Sequence, residues 1–350
     1  MIKLKIERAA APMWVKPLIP VIAVLVTFLI TSVLILLAKA NPFAAYYNLL
    51  IVPLSTKFSA LEVLVKATPL IFTGMAVTFA FTAGYFNIGA EGQLYAGAIA
   101  ATWVGISFPD LPAYIVIPMM LVLGFIAGLL WAFIPAILKI KLKVDEVVTT
   151  LLMNSVILYF VSFLLNGVWR NPLSGAPQSP EISNSAIFMR LIPKSRLHIG
   201  FIIAVVLVIL VYIFIKKTPF GLTMRAVGAS KVGAQFAGIN ASRTMMTAAL
   251  VSGGIAGLAG VCEIAGIHYH LIGALSNGYG YTGIIAATLG SLNPIGVTIA
   301  ALFISLIGTG SQTVSRALGV PVYLGDVVQS TLLLVTLAML LLQNYRIKRS

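Results

Sequence analysis

The sequence predicts an all-α integral membrane protein of about ten spans, and three observations carry that expectation. Of 350 residues, 60% are hydrophobic and 9% charged, whereas a soluble domain carries about 25% charged residues. Apolar runs long enough to cross about 30 Å of hydrocarbon recur along the chain. Basic clusters fall between alternate runs: Lys3, Lys5, Arg8 and Lys16; Lys139, Lys141 and Lys143; Lys216 to Arg243; and the tail "NYRIKRS". These clusters hold most of the 23 Lys and Arg residues, which puts them on the cytoplasmic side together with both termini. The net charge of +14 is therefore spread through membrane-flanking loops, and the stripe that nucleic acid requires is missing.

The elements follow in order. Residues 1–17 form a cytoplasmic N-terminus, 18–343 the transmembrane unit, and 344–350 a cytoplasmic basic tail. Leu18 to Leu37, 20 residues, is too long and too apolar for a cleaved signal and reads as a retained first span. Asn41 to Lys66, with prolines, tyrosines and Glu62, reads as outer interfacial segments. Spans are then expected at about 67–83, up to Ser107, up to Leu138, up to Leu165, and from Ile199 to Ile215. A long polar outer loop, Asn166 to His198, separates the fifth span from the sixth. After the inside loop 216–243 come spans at about 244–262, 282–291, up to Ser315, and 327–342.

Between the second and third spans stands "AGYFNIGAEGQ", a polar, glycine-broken stretch in a chain that is otherwise membrane. A carboxylate at mid-bilayer costs about 2.5–3.5 kcal/mol on insertion scales. Irregular backbone at that depth survives only inside protein or beside water. Gly84, Gly89 and Gly92 let the chain turn there, and Asn87, Glu91 and Gln93 can satisfy the freed backbone groups. Glu91 is read first as an acceptor at the start of the following span, where the helix dipole favours an anion; direct substrate contact and an interfacial position are the other readings.

"GAIAAT" (Gly97 to Thr102) returns as "GIIAAT" (Gly283 to Thr288), each after a Gly/Asn/Tyr-rich stretch, the second containing Asn277 and Tyr279. In the expected topology the two copies run in opposite directions. That is the pattern of inverted-repeat halves with interrupted helices along a transport path.

Catalytic chemistry finds no footing. The sequence holds no GxxxxGK[ST] phosphate loop, no HExxH and no GxSxG elbow. His268 and His270 are too few ligands for a metal and read as part of an interfacial segment beside Tyr269. The single Cys262 excludes an intramolecular disulfide.

The inside loop 216–243 is different. Pro219 suits a first helical turn, Gly228 can end that helix, Ser230 can cap a second at Lys231 to Ala237, and Gly238 suits a left-handed end. Val232, Phe236 and Ile239 then share one apolar face. Such a face suits docking to another protein, or an amphipathic helix lying on the membrane.

This loop, "RAVGASKVGAQFAGIN" from Arg225 to Asn240, resembles the coupling loop of permease subunits of ATP-binding-cassette importers, in the branched-chain amino acid, simple sugar and nucleoside permease family. "GYFNIGAEGQL" (Gly84 to Leu94) resembles that family's other hallmark in its nucleoside form. The resemblance spans roughly Thr68 to Leu342 and places the coupling loop between spans six and seven. It implies contact with an ATPase subunit through Phe220, Gly221, Arg225, Lys231, Val232, Gln235, Phe236 and Ile239. It also implies a second, different but related permease chain, an external substrate-binding lipoprotein, and a prokaryotic plasma membrane location. ATP and Mg belong to the ATPase, so this chain is a non-catalytic subunit with no cofactor of its own. The implied cargo is a nucleoside, with purine nucleosides first; a simple sugar such as ribose is the alternative. From another class, an ion-coupled carrier would use Glu91, Glu263 and Asp326 as intramembrane titrating groups.

Overall fold

The computed structural model describes residues 4–8, 18–172 and 174–349; Lys3 and Lys16 of the N-terminal basic cluster lie outside them. Fourteen α-helices follow one another: α1 (Leu18–Leu37), α2 (Pro42–Leu50), α3 (Val52–Ser55), α4 (Lys57–Thr82), α5 (Ala90–Ser107), α6 (Ala113–Leu142) and α7 (Glu146–Asn166). Then come α8 (Gly200–Lys217), α9 (Pro219–Ala229), α10 (Lys231–Phe236), α11 (Ala241–Glu263), α12 (Tyr279–Leu289), α13 (Pro294–Leu318) and α14 (Leu324–Asn344). A π-helical turn, Ile264–His268, extends α11. One antiparallel pair, β1 (Leu4–Arg8) on β2 (Tyr345–Arg349), sets Leu4 opposite Arg349 and so brings the two ends of the chain to one place. No sequence signal announced it.

Local chemistry sets the boundaries. Asn41, Asp145 and Asn293 stand just before α2, α7 and α13, and each side chain accepts the N–H two residues on, at 2.9, 2.8 and 3.1 Å. Pro42 and Pro294 open their helices, where a missing N–H costs nothing. Gly319, at φ 67°, closes α13.

Among the described residues, six helices are long and apolar enough to cross a membrane: α4, α6, α7, α8, α11 with its π turn, and α13. Residues 21–37 of α1 pass that test together with residues 42–55, bent by 119° at the break. Among the spans, α4 and α11 are central, with 89% and 78% of their apolar windows buried, against 22% for α7 and α8. The outer helices expose many of their Leu and Phe side chains. The centre is built from small residues that let backbones meet, as at Gly128, where a Cβ would lie 2.2 Å from the Gly253 oxygen. Around this pair, α5 and α6 pack on α11, and α12 and α13 pack on α4.

Two differences from the sequence expectation have physical causes. Helix α4 starts at Lys57, ten residues before the expected second span, because the Thr56 hydroxyl caps it there through the Ser59 N–H at 3.2 Å; the ion pair of Glu62 with Arg196 of the 166–198 loop satisfies the carboxylate that this extension buries. The segment after α1 folds back as α2 and α3 against α13, burying Ala45 and Leu49.

Residues 166–198 are stitched to the α11–α12 connection by backbone bonds: Ser179 to Leu271 (3.0 Å), Ile182 to Tyr269 (2.8 Å) and Phe188 to Ala265 (2.9 Å). His198 is buried between Gly200 and Gly266. Its Nδ1 accepts the Gly200 N–H at 3.1 Å.

Candidate functional site at the helix break and the coupling loop

Residues 83–89 leave the helix between α4 and α5, and side chains from three helices hold the freed backbone. Asn87 is fully buried. Its amide donates to Gln93 Oε1 and Ser252 Oγ of α11, each at 2.9 Å, and its oxygen accepts the Gly89 N–H at 2.9 Å. Ser252 passes the chain on to the Ala76 carbonyl of α4 at 2.7 Å. From α7, Thr150 accepts the Ile88 N–H at 3.2 Å, and Asn154 both accepts the Gly92 N–H (2.9 Å) and donates to the Ile88 carbonyl (3.0 Å). Asn87, Thr150, Asn154 and Ser252 each meet a backbone group, whereas Gln93, expected to do so, bonds only to the Asn87 side chain and holds it in place.

Glu91 is buried and does not accept an N–H of its own helix. Its Oε2 takes the Gly280 N–H, at 2.7 Å, from the first turn of α12. The N-termini of α5 and α12 therefore converge on one carboxylate, where both dipoles favour it. The approach requires glycine: a Cβ at Gly280 would sit 2.1 Å from the Glu91 nitrogen. Neighbouring bonds fix the same junction. Tyr95 donates to the Gly273 carbonyl (2.9 Å), Thr73 donates to the Tyr279 carbonyl (2.9 Å), and the Asn154 amide reaches the Tyr281 hydroxyl (3.0 Å). Thus the two glycine-rich interruptions noted in the sequence meet each other.

Tyr279 and Asn277 also line a cavity of about 420 Å³ between α4, α12, α13 and α14. The carboxylates of the ion-coupled alternative stand in different surroundings. Glu91 is bonded to α12, Glu263 is buried 3.6 Å from His268, and Asp326 faces the cavity.

The coupling loop forms the two expected helices. Thr218 caps α9 through the Gly221 N–H (3.0 Å), Ser230 caps α10 through the Gly233 N–H (3.1 Å), and Gly238 is left-handed at φ 78°. Val232 and Phe236 are exposed, Phe236 at 90%. Lys231, Gln235 and Arg225 are exposed around them. Ile239 does not share that face: α10 ends at Phe236, and Ile239 packs inward on a small cluster with Tyr85, Val227 and Ala234. Phe220 also points inward, its ring 5.7 Å from that of Phe214, and Gly221 is buried against the Phe214 carbonyl.

Helix α9 ends on the break itself. A Cβ at Gly228 would lie 2.3 Å from the Thr82 oxygen, and Gly84, at φ 71°, faces Gly228. Sequence reading missed the supporting residues Thr150, Asn154, Ser252 and Thr73. The available signal was Thr150 and Asn154 at i and i+4, two polar residues on one face of an apolar span.

A bundle of apolar helices with a buried polar break, and an amphipathic loop docked on that break, defines a multi-pass membrane transport protein. Comparison with known proteins gives the class its family: the family described as branched-chain amino acid transport system / permease component matches residues 59–337, and the chain belongs to it. Among its relatives, the guanosine ABC transporter permease protein NupP of Bacillus subtilis is 37% identical, over 78% of this chain and 79% of its own. The nucleoside ABC transporter permease protein NupB of Lactococcus lactis is 33% identical, over 91% and 90%. The glucose ABC transporter permease protein TsgB13 of Haloferax volcanii is 34% identical, over 97% and 92%.

Proposed function

We propose that this chain is the permease subunit of an ATP-driven importer and forms the translocation path for nucleosides, purine nucleosides first. The observation that carries the coupling part is the seating of α9 on the break: Gly228 abuts Thr82 and Gly84, while Val232 and Phe236 stay exposed for a partner. In this reading the exposed face docks an ATPase subunit that binds ATP and Mg. Closure of the ATPase pair pushes α9 against the break and moves the α5–α12 junction. This chain binds no cofactor and catalyses no reaction. A second, related permease completes the pore, and an external lipoprotein delivers the cargo.

The ten-span topology is part of the proposal. Its spans are α1, α4, α5, α6, α7, α8, α11, α12, α13 and α14. Pairing α4 to α7 with α11 to α14 as inverted halves is supported by reciprocal packing: α5 on α11 answers α12 on α4, α6 on α11 answers α13 on α4, and α5 on α6 answers α12 on α13. The meeting of β1 with β2 supports termini on one side, assigned to the cytoplasm by their basic residues.

The glucose-transporter relative, similar over more of its length than NupP, favours a second reading with a simple sugar as cargo. Competition for uptake by cells or vesicles carrying the whole importer separates the two. Adenosine, guanosine and inosine should compete, and ribose, glucose and leucine should not. Competition by ribose or glucose alone would transfer the chain to the sugar reading.

A further inference from the structure

We propose that the cavity between α4, α12, α13 and α14 is a cargo site within the permease, one that binds a neutral, hydrogen-bonding solute carrying a flat ring; it rests on the nucleoside reading above. At about 420 Å³ it has the size of a small-molecule site. Its wall mixes apolar Leu70, Ile304 and Val322 with a larger set of polar side chains. Lys66, Asn277, Gln312, Asp326 and Gln329 line it together with Tyr279 and Tyr323.

Among the described residues, the side chains of Gln312, Asp326 and Gln329 make no hydrogen bond, and the one that the Lys66 side chain makes is to the Gly308 carbonyl, at 3.2 Å. Asn277, Gln312 and Asp326 are exposed and Lys66 and Gln329 half-buried, so these donors and acceptors stay open to a solute that enters from the cavity mouth. Intramembrane polar groups without an internal partner mark a solute pathway. One cation and one anion offset each other, so the wall selects neither an anion nor a cation. Two amides and a carboxylate suit ribose hydroxyls and base edges, and tyrosine rings can stack on a base.

Location agrees with a role before translocation. Lys66 lies sixteen residues before Thr82 on α4, about 24 Å from the coupling-loop contact, so the cavity is in the half of the protein that faces the delivering lipoprotein. Tyr279, on its wall, precedes the glycine whose N–H Glu91 accepts. A shift of the break would therefore move the cavity wall.

The test uses the assembled importer in lipid discs with Cys262→Ala, which leaves this chain no native thiol, and either Gln312→Cys or Gln329→Cys, with labelling read on this chain alone. Maleimide labelling of either cysteine should slow about tenfold with guanosine at ten times its half-protecting concentration, and not with leucine. Unchanged labelling in complexes that still import guanosine would overturn the cavity and leave the cargo reading standing. Protection by glucose or ribose and not by guanosine would keep the cavity and overturn the cargo reading. A cysteine that the reagent cannot reach in the assembled complex would show the hollow covered by the partner permease, and the proposal would fall. Gln329→Ala, which keeps the helix, should raise the half-saturating guanosine concentration for uptake while leaving the bound ATPase in place.

Discussion

Glu91 stands beside the N-terminus of a helix 189 residues further along the chain, held by the Gly280 N–H. Glutamine keeps an acceptor there, and leucine does not. Glu91→Gln should therefore retain much of the uptake, whereas Glu91→Leu leaves a buried N–H unmet, at about 1–3 kcal/mol, and should lower expression and the unfolding temperature. A Glu91→Leu protein as stable as the parent but inactive would move Glu91 to substrate or gating chemistry. His198 gives a pH prediction. Burial pushes its pKa down to about 4 from 6.5, and Nδ1 must stay unprotonated to accept from Gly200. Between those values the unfolded chain binds the proton and the folded one does not, so stability falls as pH drops from 6.5 toward 4, by about 1.4 kcal/mol per unit at most. Thermal melts should show that loss in the parent and a reduced loss in His198→Asn; equal losses would dissociate it from this side chain.

At the scale of elements, the helix pair α9–α10 joins an exposed apolar surface, Val232 and Phe236, to a close contact with the break at Gly228. Phe236→Asp should release the ATPase from the purified complex without affecting membrane insertion, since the ring is 90% exposed and an aromatic anchor commonly carries 2 kcal/mol or more. Gly228→Ala should keep the ATPase but reduce transport per ATP hydrolysed by roughly 2- to 30-fold, the range that 0.5–2 kcal/mol of lost coupling gives. Retention of the ATPase by Phe236→Asp would remove the docking face. These helices were legible because caps and glycines are local signals: Ser230 and Gly238 act as their types predict. Ile239 was misplaced because α10 stops after six residues, so a periodicity extended past the helix end. The partner of Glu91 was not legible either. No local rule reaches from residue 91 to residue 280, and only packing brings the two helix starts together.

For the whole molecule, composition and apolar runs were enough to specify a multi-pass helical protein, because hydrocarbon leaves a chain few alternatives. Two features were beyond them: the extension of α4 back to Lys57 with Glu62 buried against Arg196 from a distant loop, and the antiparallel pairing of residues 4–8 with 345–349. The central claim concerns the energy source. On the proposed function it is ATP on a partner subunit, and ions crossing this chain are not required. The direct measurement is guanosine uptake into vesicles holding the reconstituted importer, with ATP on the coupling-loop side and all ion gradients collapsed by ionophores. The account predicts concentrative uptake that requires ATP and persists without gradients. Uptake that continues without ATP and stops when the gradients collapse would contradict it.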